Sequence, residues 1–310
     1  MVKDLLYYLI FPGFVFIAIV GGLFSWADRK ITAWLQFRKG PPLLQPFYDF
    51  FKLLLVKETI LPARGSKLTF LMAPVLGLTG ATISGVLILL PAFGLKPGFS
   101  GDIIVIFYML TIPSLTYIIG ALAAGNPLAS VGASREMKLI ISYELTFVLI
   151  MAAVILKAGM AIGLIDIIAA QREQGAFIGS ISGVLLFIAF AFCVQAKLGL
   201  VPFDMPEAET EITHGCFIEY SGPAYSFIKL TKFMMLFILP AFMCTALLGG
   251  FRIDGIHLLW TVLKMLGVLL LIILIRNTNP RIRIDQAMRF FFIWMNLLVI
   301  VAIILSYFNL

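Results

Sequence analysis

Residues 290–308 read FFFIWMNLLVIVAIILSYF, a run of 19 residues without a charged side chain. A helix of about 20 apolar residues crosses the hydrocarbon core of a bilayer. The whole chain shares this character, because 61% of its 310 residues are hydrophobic and 13% are charged. A soluble globular domain is about half apolar and about a quarter charged. The composition therefore excludes an ordinary soluble domain and predicts a protein that crosses the membrane several times.

Seven further apolar runs have the length of a membrane span. They are separated by segments in which proline, glycine and charged residues collect, as at Pro41-Pro42 and Asn279-Pro280. The predicted fold is an all-α polytopic membrane protein, a single membrane domain over residues 1–310 with eight transmembrane helices. The predicted spans are 5–26, 68–90, 103–124, 138–158, 179–197, 225–249, 256–275 and 287–308.

Cysteine, histidine and net charge exclude several kinds of site. The chain has three Cys and two His, and none of them stands at the spacing of a zinc, haem or iron–sulfur ligand set. We expect no metal, cofactor or redox centre in this chain. The formal net charge is +7. With so few charged residues overall, we interpret the excess as a topology signal and as contact with anionic lipid, with no nucleic-acid partner.

The basic residues divide unevenly between the loops. When basic residues at the ends of spans are counted with the adjoining loop, eight of the 23 Lys and Arg belong to the first loop, two to the third, one to the fifth and four to the seventh. The N-terminus and the even-numbered loops hold five on the same count, and the other three lie further inside predicted spans. The positive-inside rule then predicts that the odd-numbered loops are cytoplasmic and that both termini are outside.

The first loop contains an amphipathic segment at residues 44–58. Its Lys and Asp side chains fall on one side of a helical projection, and its Phe and Leu side chains fall on the other. A helix of this kind lies along a membrane surface. We therefore predict an interfacial amphipathic helix on the cytoplasmic face. A solvated connector is the alternative.

Glu144 lies about two turns into the fourth predicted span. A carboxylate at that depth costs several kcal/mol unless it faces a polar interior, which makes it a functional candidate. A structural ion pair between two helices is the alternative. The cations inside predicted spans are Lys264 in the seventh and Lys229 and Lys232 in the sixth. The sequence does not decide which of them pairs with a buried acid.

The densest group of acids lies in the fifth loop, residues 198–224, where five carboxylates fall within 16 residues. If residues 206–219 are helical, Glu207 and Glu211 stand on one face and repel each other when both are ionised. Crowded carboxylates raise some of their pKa values and share protons, a property suited to a proton relay. A solvated acidic loop is the alternative.

Taken together, these segments resemble the subunit 1/H family of respiratory complex I and its relatives, the membrane-bound group 4 NiFe hydrogenases. The resemblance covers almost the whole chain, with the spans in the expected order. It rests on motifs in four segments: Pro202-Phe203-Asp204 to Pro206-Glu207-Ala208-Glu209 and Glu219-Tyr220-Ser221-Gly222 in the acidic loop; Ser142-Tyr143-Glu144 in the fourth span; Gly40-Pro41, Leu44-Gln45, Asp49 and Lys57-Glu58 in the first loop; and Pro280-Arg281, Arg283 and Asp285-Gln286 in the last cytoplasmic loop.

The resemblance implies a subunit that anchors a peripheral redox arm to the membrane and has no catalytic site of its own. It implies hydrogenase-like large and small iron–sulfur subunits docked on the cytoplasmic side. Small membrane subunits and antiporter-like subunits are expected beside it in the bilayer. Iron–sulfur clusters and a NiFe-type or derived site are expected in the partner subunits.

The same resemblance implies roles for individual residues. The acids that couple electron transfer to translocation of H⁺ or Na⁺ would be Glu144, Asp204, Glu207, Glu209, Glu211 and Glu219. Lys264 joins them as a candidate buried cation. Their cationic surroundings, and the docking surface for partners, would be Arg29, Arg38, Arg135, Arg281 and Arg283. A charge change would pass from the acidic loop to Glu144 and on into the membrane.

Two departures favour the hydrogenase branch, or a sulfur-reducing complex derived from it, over complex I. Residues 40–45 run without the insert that complex I members carry, and residues 132–137 are similar to those of the hydrogenases. Asp28 also stands where complex I relatives usually have Glu.

The alternatives are a quinone-chamber subunit of a complex I-like quinone oxidoreductase and a free-standing secondary transporter, although the chain shows no clear internal repeat. The predicted location is a prokaryotic cell membrane.

Overall fold

A computed structural model describes residues 2–95, 98–251 and 255–308. Within those ranges the chain is helical and has no β-strand. Seven helical segments there are long and apolar enough to cross a membrane, and a further apolar helix is shorter, with 17 residues. The prediction of an all-α polytopic membrane protein is confirmed.

The helices in chain order are α1 (Val2–Leu9), α2 (Phe14–Leu35), α3 (Gln45–Phe51), α4 (Lys67–Ala92), α5 (Asp102–Ala123), α6 (Pro127–Lys157), α7 (Leu164–Gln174), α8 (Ile181–Lys197), α9 (Glu209–Ile212), α10 (Gly222–Leu247), α11 (Ile256–Thr278), α12 (Ile284–Arg289) and α13 (Asn296–Tyr307). A π-helical segment, Lys52–Val56, extends α3, and another, Phe290–Met295, joins α12 to α13. As membrane spans, α1 with α2 and α12 with α13 each count as one segment.

The first span is broken near its start. The turn between α1 and α2 contains Pro12, which has no N–H to donate to a helical hydrogen bond. In the same turn the chain doubles back so closely that a Cβ at Gly13 would lie 2.0 Å from the carbonyl oxygen of Tyr8. After this break α2 runs on to Leu35, beyond the predicted end of the span at residue 26.

The fourth span begins well before its predicted start at residue 138, because α6 starts at Pro127. Gly125-Asn126-Pro127, interpreted from the sequence as a break, is the start of a helix. The Asn126 side chain accepts a hydrogen bond from the N–H of Leu128 at 2.9 Å, and Pro127 occupies the first turn. Residues 132–137 therefore belong to the helical bundle and not to a loop.

The sequence analysis does not predict α7, which lies between the fourth and fifth spans. The Asp102 carboxylate at the start of α5 accepts a hydrogen bond from the N–H of Leu164 at 2.7 Å and so caps α7. Gln171 fixes the other end by donating to the carbonyl of Thr245 at 2.9 Å. These contacts join residues more than 60 positions apart, so no local pattern reveals them.

The centre of the bundle is α10, which is buried along almost its whole length and contacts α2, α4, α8 and α11. Its contact with α2 is close, because a Cβ at Gly21 would lie 2.4 Å from the carbonyl oxygen of Phe233. Only glycine fits at that crossing. By contrast, α11 and the segment formed by α12 and α13 leave many apolar side chains exposed, which provides an apolar surface for the membrane.

The acidic loop between α8 and α10 is not one helix. It contains two 3₁₀ turns and the four-residue helix α9. Thr213 and His214 have φ angles of 44° and 71°, in the left-handed region that ends a helix. The conditional prediction of a helix over residues 206–219 is wrong, so its acids do not stack on one helical face.

The first, third, fifth and seventh loops meet at one end of the bundle, called the loop end below. Asn126 at the start of α6 donates to Glu219 in the acidic loop at 2.5 Å. The N–H of Ile282, before α12, donates to the carbonyl of Pro202 at 3.3 Å. The helix predicted over 44–58 is present as α3 with its π-helical extension, and it packs against α10 at the same end.

Candidate functional site

A cavity of about 400 Å³ opens at the loop end and is lined mainly by charged side chains. They come from α2, the acidic loop, α10, α11 and the segment before α12, so the fold collects them from distant parts of the sequence. The cations are Arg29, Lys229, Lys232, Arg276 and Arg281, and the acids are Asp204, Glu207 and Glu209.

Asp204 and Arg281 form a two-pronged ion pair in this cavity. Arg281 Nε lies 2.7 Å from Asp204 Oδ1, and Nη2 lies 2.5 Å from Oδ2. A third donation, from Nη1 to the Thr210 hydroxyl at 3.3 Å, holds the guanidinium in place. The hydrogen bonds to Asp204 raise the pKa of Arg281 further above its usual value. The structure thus joins a predicted coupling acid to a predicted cation.

Glu207 forms the next ion pair inward, with Lys232 of α10. Lys232 Nζ lies 2.6 Å from each carboxylate oxygen and 4.3 Å from the centre of the Phe217 ring. The sequence left open whether Lys232 pairs with a buried acid or extends to the membrane interface. In the structure it pairs with Glu207 of the acidic loop.

Glu144 lies deeper, and its partner is Lys197, the last residue of α8. Glu144 Oε1 lies 2.6 Å from Lys197 Nζ, and the Lys197 side chain is 1% exposed. The ammonium also lies 5.0 Å from the centre of the Phe147 ring and 5.3 Å from that of Tyr143. Glu144 Oε2 is buried and has no hydrogen-bond partner among the described residues.

None of the three cations considered from the sequence contacts Glu144. Lys232 binds Glu207, and Lys229 lies over the Tyr225 ring at 5.2 Å. Lys264 donates to the carbonyl of Leu248 at 2.5 Å, away from the loop end. The sequence analysis missed Lys197 because it counted this residue, the last of the predicted span 179–197, with the basic residues of the fifth loop. Its place at the end of an apolar run was the available signal that it is a cation of the bundle.

The other acids of the loop have different surroundings. Arg135 of α6 donates to Glu211 at 2.6 Å, which ties the loop to the helix beneath it. Glu219 accepts from Asn126, as described above. Glu209 is exposed and lies 3.6 Å from the imidazole of His214. Of the five predicted loop acids, Asp204, Glu207 and Glu209 line the cavity.

The remaining predicted cations lie around the rim of the loop end. Arg29 donates to Asp49 of α3 at 3.0 Å. Burial raises the pKa of Asp49, but the hydrogen bonds from Arg29 and Gln45 outweigh it and hold the pKa below its usual value. Arg283 lies 3.2 Å from Asp285 at an exposed position, and Arg38 is exposed.

Asp28 and Arg276 form an ion pair that the sequence analysis did not predict. Arg276 Nη1 lies 2.6 Å from Asp28 Oδ2, joining α11 to α2. Asp28 is buried, and its Oδ1 has no hydrogen-bond partner among the described residues. The position singled out for its shorter acid side chain is therefore an anchor between two helices at the edge of the cavity.

Glu136 of α6 is a buried acid beside this path that the sequence analysis missed. It is 9% exposed and forms a hydrogen bond with the Ser114 hydroxyl of α5. Together with Glu207, Lys232 and Lys197 it lines a second, smaller cavity of about 20 Å³. Glu136 was overlooked because residues 132–137 were assigned to a loop. The helix-start signal of Asn126-Pro127 could have placed it in the bundle.

Metal-ligating side chains do not gather in the described ranges, which contain no group of three or more His, Cys, Asp or Glu arranged to hold an ion. Cys193, Cys216 and Cys244 are buried free thiols, and burial raises the pKa of Cys216. The expectation that redox cofactors belong to partner subunits stays a prediction.

Known proteins resemble this chain over nearly its whole length. The family described as NADH dehydrogenase matches residues 8–307. The NADH-quinone oxidoreductase H subunit of Thermomicrobium roseum is 34% identical over 305 residues, covering 89% of this chain and 88% of that protein. The corresponding protein of Geobacillus kaustophilus is 33% identical over 281 residues, covering 85% of this chain and 81% of that protein.

A solved structure also shares the fold. It is a chain of the membrane-bound sulfane sulfur reductase, an archaeal respiratory membrane complex, with a TM-score of 0.86 and 27% sequence identity. The match covers 94% of this chain and 96% of that one. The two chains therefore correspond over almost all of both.

Proposed function

This chain belongs to the NADH dehydrogenase family, the subunit 1/H family of complex I, and we propose that it links electron transfer in partner subunits to ion movement across the membrane. It is a multi-pass membrane protein and a membrane subunit of a complex I-related respiratory complex. In this proposal the chain anchors the peripheral arm and supplies the buried charges, while the partners supply the redox chemistry.

The observation that carries the proposal is the Glu144–Lys197 ion pair inside the bundle. Removing two charges from water costs several kcal/mol for each ion, and apolar side chains at the same positions often give equal or greater stability. Ionisable groups within membrane spans are functional candidates by default. Glu144 Oε2 has no hydrogen-bond partner in the part of the chain that the structure describes, so the carboxylate has an oxygen at which a proton can bind.

The loop-end charges give this buried pair a connection to the surface. Asp204 with Arg281 and Glu207 with Lys232 lie at the loop-end cavity, and the smaller cavity continues from Glu207 and Lys232 to Lys197. A change of charge near the acidic loop therefore acts on neighbouring charges at each step inward, where the low dielectric of the interior strengthens electrostatic interactions.

The proposal also orients the chain in the membrane. In it the loop end faces the cytoplasm of a prokaryotic cell and both termini lie outside, which the excess of Lys and Arg in the odd-numbered loops supports. Hydrogenase-like large and small iron–sulfur subunits would dock on the loop end, bringing iron–sulfur clusters and a NiFe-type or derived site. Small membrane subunits and antiporter-like subunits would contact the exposed apolar helices.

Two branches of the family remain in competition. The sulfane sulfur reductase chain has the same fold over almost its full length, which favours a hydrogenase or a derived sulfur-reducing complex. The names of the NADH-quinone oxidoreductase relatives favour a quinone-reducing complex instead. The loop-end cavity is lined by five cations and three acids, whereas pockets for small organic ligands are mostly apolar. That lining supports the first branch.

Purification of the complex through a tag on this chain distinguishes the branches. We expect iron–sulfur partner subunits to co-purify, with hydrogen evolution or sulfur reduction as the activity. Quinone reduction, blocked by bulky substitutions along residues 44–58, would establish the quinone alternative. Recovery of the chain alone, with transport activity of its own, would contradict the proposal and favour a secondary transporter.

The coupling role is tested by Glu144→Gln in the assembled complex. The amide keeps the size of the side chain but cannot carry the charge, so electron transfer should continue while ion translocation in inverted membrane vesicles is lost. Glu173→Gln, at an exposed position on α7, is the matched control and should translocate normally. Normal translocation by the Glu144→Gln complex would refute the role of Glu144.

A further inference from the structure

We propose that Glu136 is the proton carrier between the Glu207–Lys232 and Glu144–Lys197 ion pairs, an inference that rests on the proposed function and adds a residue to its path. Glu136 lies on α6, two positions outside the span that the sequence predicts. It belongs to the run 132–137 that is similar to the hydrogenases, but the sequence analysis gives it no role. Its role is argued from its surroundings alone.

The two ion pairs meet at one small cavity, and Glu136 forms part of its wall. Glu207 and Lys232 lie on the side of the loop end, and Lys197 lies on the side of the span interior. Tyr117 of α5 completes the polar lining. The cavity volume of about 20 Å³ exceeds the roughly 10–15 Å³ that one water molecule requires. A single water fits in this cavity, whose wall includes Glu207 and Lys232 of one pair and Lys197 of the other.

Glu136 differs from the other buried acids around this path because it has no cation of its own. Glu207 and Glu144 each have a lysine at 2.6 Å, whereas Glu136 has no ion-pair partner within 4.0 Å among the described residues. Its contact is with the Ser114 hydroxyl, which in turn accepts from the Tyr143 hydroxyl at 3.4 Å. A buried acid in that position is stable in its neutral, proton-bearing form.

The transfer can be written without an added reactant. Lys197 Nζ gives a proton to Glu144 Oε1, so an N–H bond breaks and an O–H bond forms. The Glu136 carboxyl then gives its proton through the cavity water to Lys197 Nζ, which restores the ammonium. One proton has moved from Glu136 to Glu144, eight residues or about 12 Å along the helix. Glu136 is left as a carboxylate and Glu144 is neutral.

The acidic loop provides the trigger for this step. Glu207 lies in a 3₁₀ turn of the loop, whereas Lys232 lies in the long helix α10, most of which is buried. When the loop draws Glu207 away, Lys232 is left facing Glu136 across the cavity and stabilises its carboxylate. When Glu207 returns, Glu136 takes up a proton from the loop-end side. A docked partner that moves the loop thereby drives proton transfer within the bundle.

The experiment measures ions moved per electron in vesicles that contain the assembled complex. Glu136→Gln should keep subunit composition and electron transfer but lower the ratio by about tenfold or more, as expected for loss of an acid–base group. Glu136→Asp, which retains an acid, should recover a substantial part of the ratio. Glu173→Gln is the control. A wild-type ratio in Glu136→Gln overturns the inference.

The variants separate this inference from the proposed function. If Glu144→Gln abolishes translocation and Glu136→Gln does not, only the inference fails. If neither variant changes the ratio, the proposed function fails as well. If Glu136→Gln does not assemble, the inference is tested by redox-induced infrared difference spectra of the wild-type and Glu136→Asp complexes. The carbonyl band of a protonated carboxylic acid should shift between them, and an unchanged band overturns the inference.

Discussion

The two lysine–glutamate pairs along the path have the same length and different surroundings. Lys197 and Glu144 lie 2.6 Å apart with side chains 1% and 16% exposed, and Lys232 and Glu207 lie 2.6 Å apart with side chains 31% and 26% exposed. The first pair joins two helices, and the second joins a helix to the acidic loop. Distance alone therefore does not tell their roles apart.

The difference in exposure indicates that the Lys197–Glu144 contact is permanent, whereas the Lys232–Glu207 contact can break and form again. Lys197 is almost completely buried and Glu144 is largely buried, so removing one partner leaves a buried charge without its counter-ion. The Lys232–Glu207 pair borders the larger cavity, where water and salt weaken it. The coupling proposal requires both ion pairs. The Lys232–Glu207 contact changes when the acidic loop moves, and the Lys197–Glu144 contact transmits the resulting change of charge into the bundle.

The largest expected effect comes from Lys197→Met. It leaves Glu144 buried without its cation, which should lower the stability of the complex by about 3–5 kcal/mol. The double variant Lys197→Met with Glu144→Gln leaves no buried charge and should be close to the wild type. Thermal denaturation of the purified complexes measures both. A single variant as stable as the wild type would show that the two pairs do not differ as described.

A smaller effect is expected from Lys232→Met. Because the pair is partly exposed, its loss should cost about 1 kcal/mol or less, and that cost should shrink as salt is added. Lys229→Met, one turn earlier on α10 and over a tyrosine ring, is the matched control. Thermal denaturation at low and high ionic strength tests this. If Lys232→Met lowered the stability as much as Lys197→Met does, and independently of salt, the proposed difference between the two ion pairs would be contradicted.

The smallest effect concerns Asp49, which joins α3 to Arg29 at the rim. Its pKa is lower in the folded protein than the unfolded value of about 3.9. Its contribution to stability is therefore present above that value and is lost as the pH falls through the folded pKa. Asp49→Asn should be less stable than the wild type at neutral pH, and the difference should vanish in acid. A difference independent of pH would contradict this assignment.

The sequence predicts the spans well because each depends on a local property, the length of an apolar run. The predicted span boundaries are wrong where the same residues are typical both of a break between helices and of the start of a helix. Gly125-Asn126-Pro127 reads as a break, yet Asn126 and Pro127 cap and start α6. That single misinterpretation removed Glu136 from the bundle and hence from the candidate site.

The candidate site itself depends on contacts between distant residues. Glu144 is recognisable from its depth in an apolar segment, but Lys197 lies 53 positions away in sequence. Arg276 and Asp28 are 248 positions apart. No periodicity relates such residues, because their meeting is set by the packing of α2, α6, α8 and α11. The sequence therefore indicates which charges are unusual, and the fold decides which of them meet.

The most direct test of the central claim measures ions moved per electron in the Glu144→Gln and Lys197→Met double variant. This variant removes the buried pair without leaving an unpaired charge, so a loss of assembly cannot account for a loss of coupling. We expect an assembled complex that transfers electrons and moves almost no ions. A wild-type ratio in that complex would show that the pair only joins two helices, and would contradict the account.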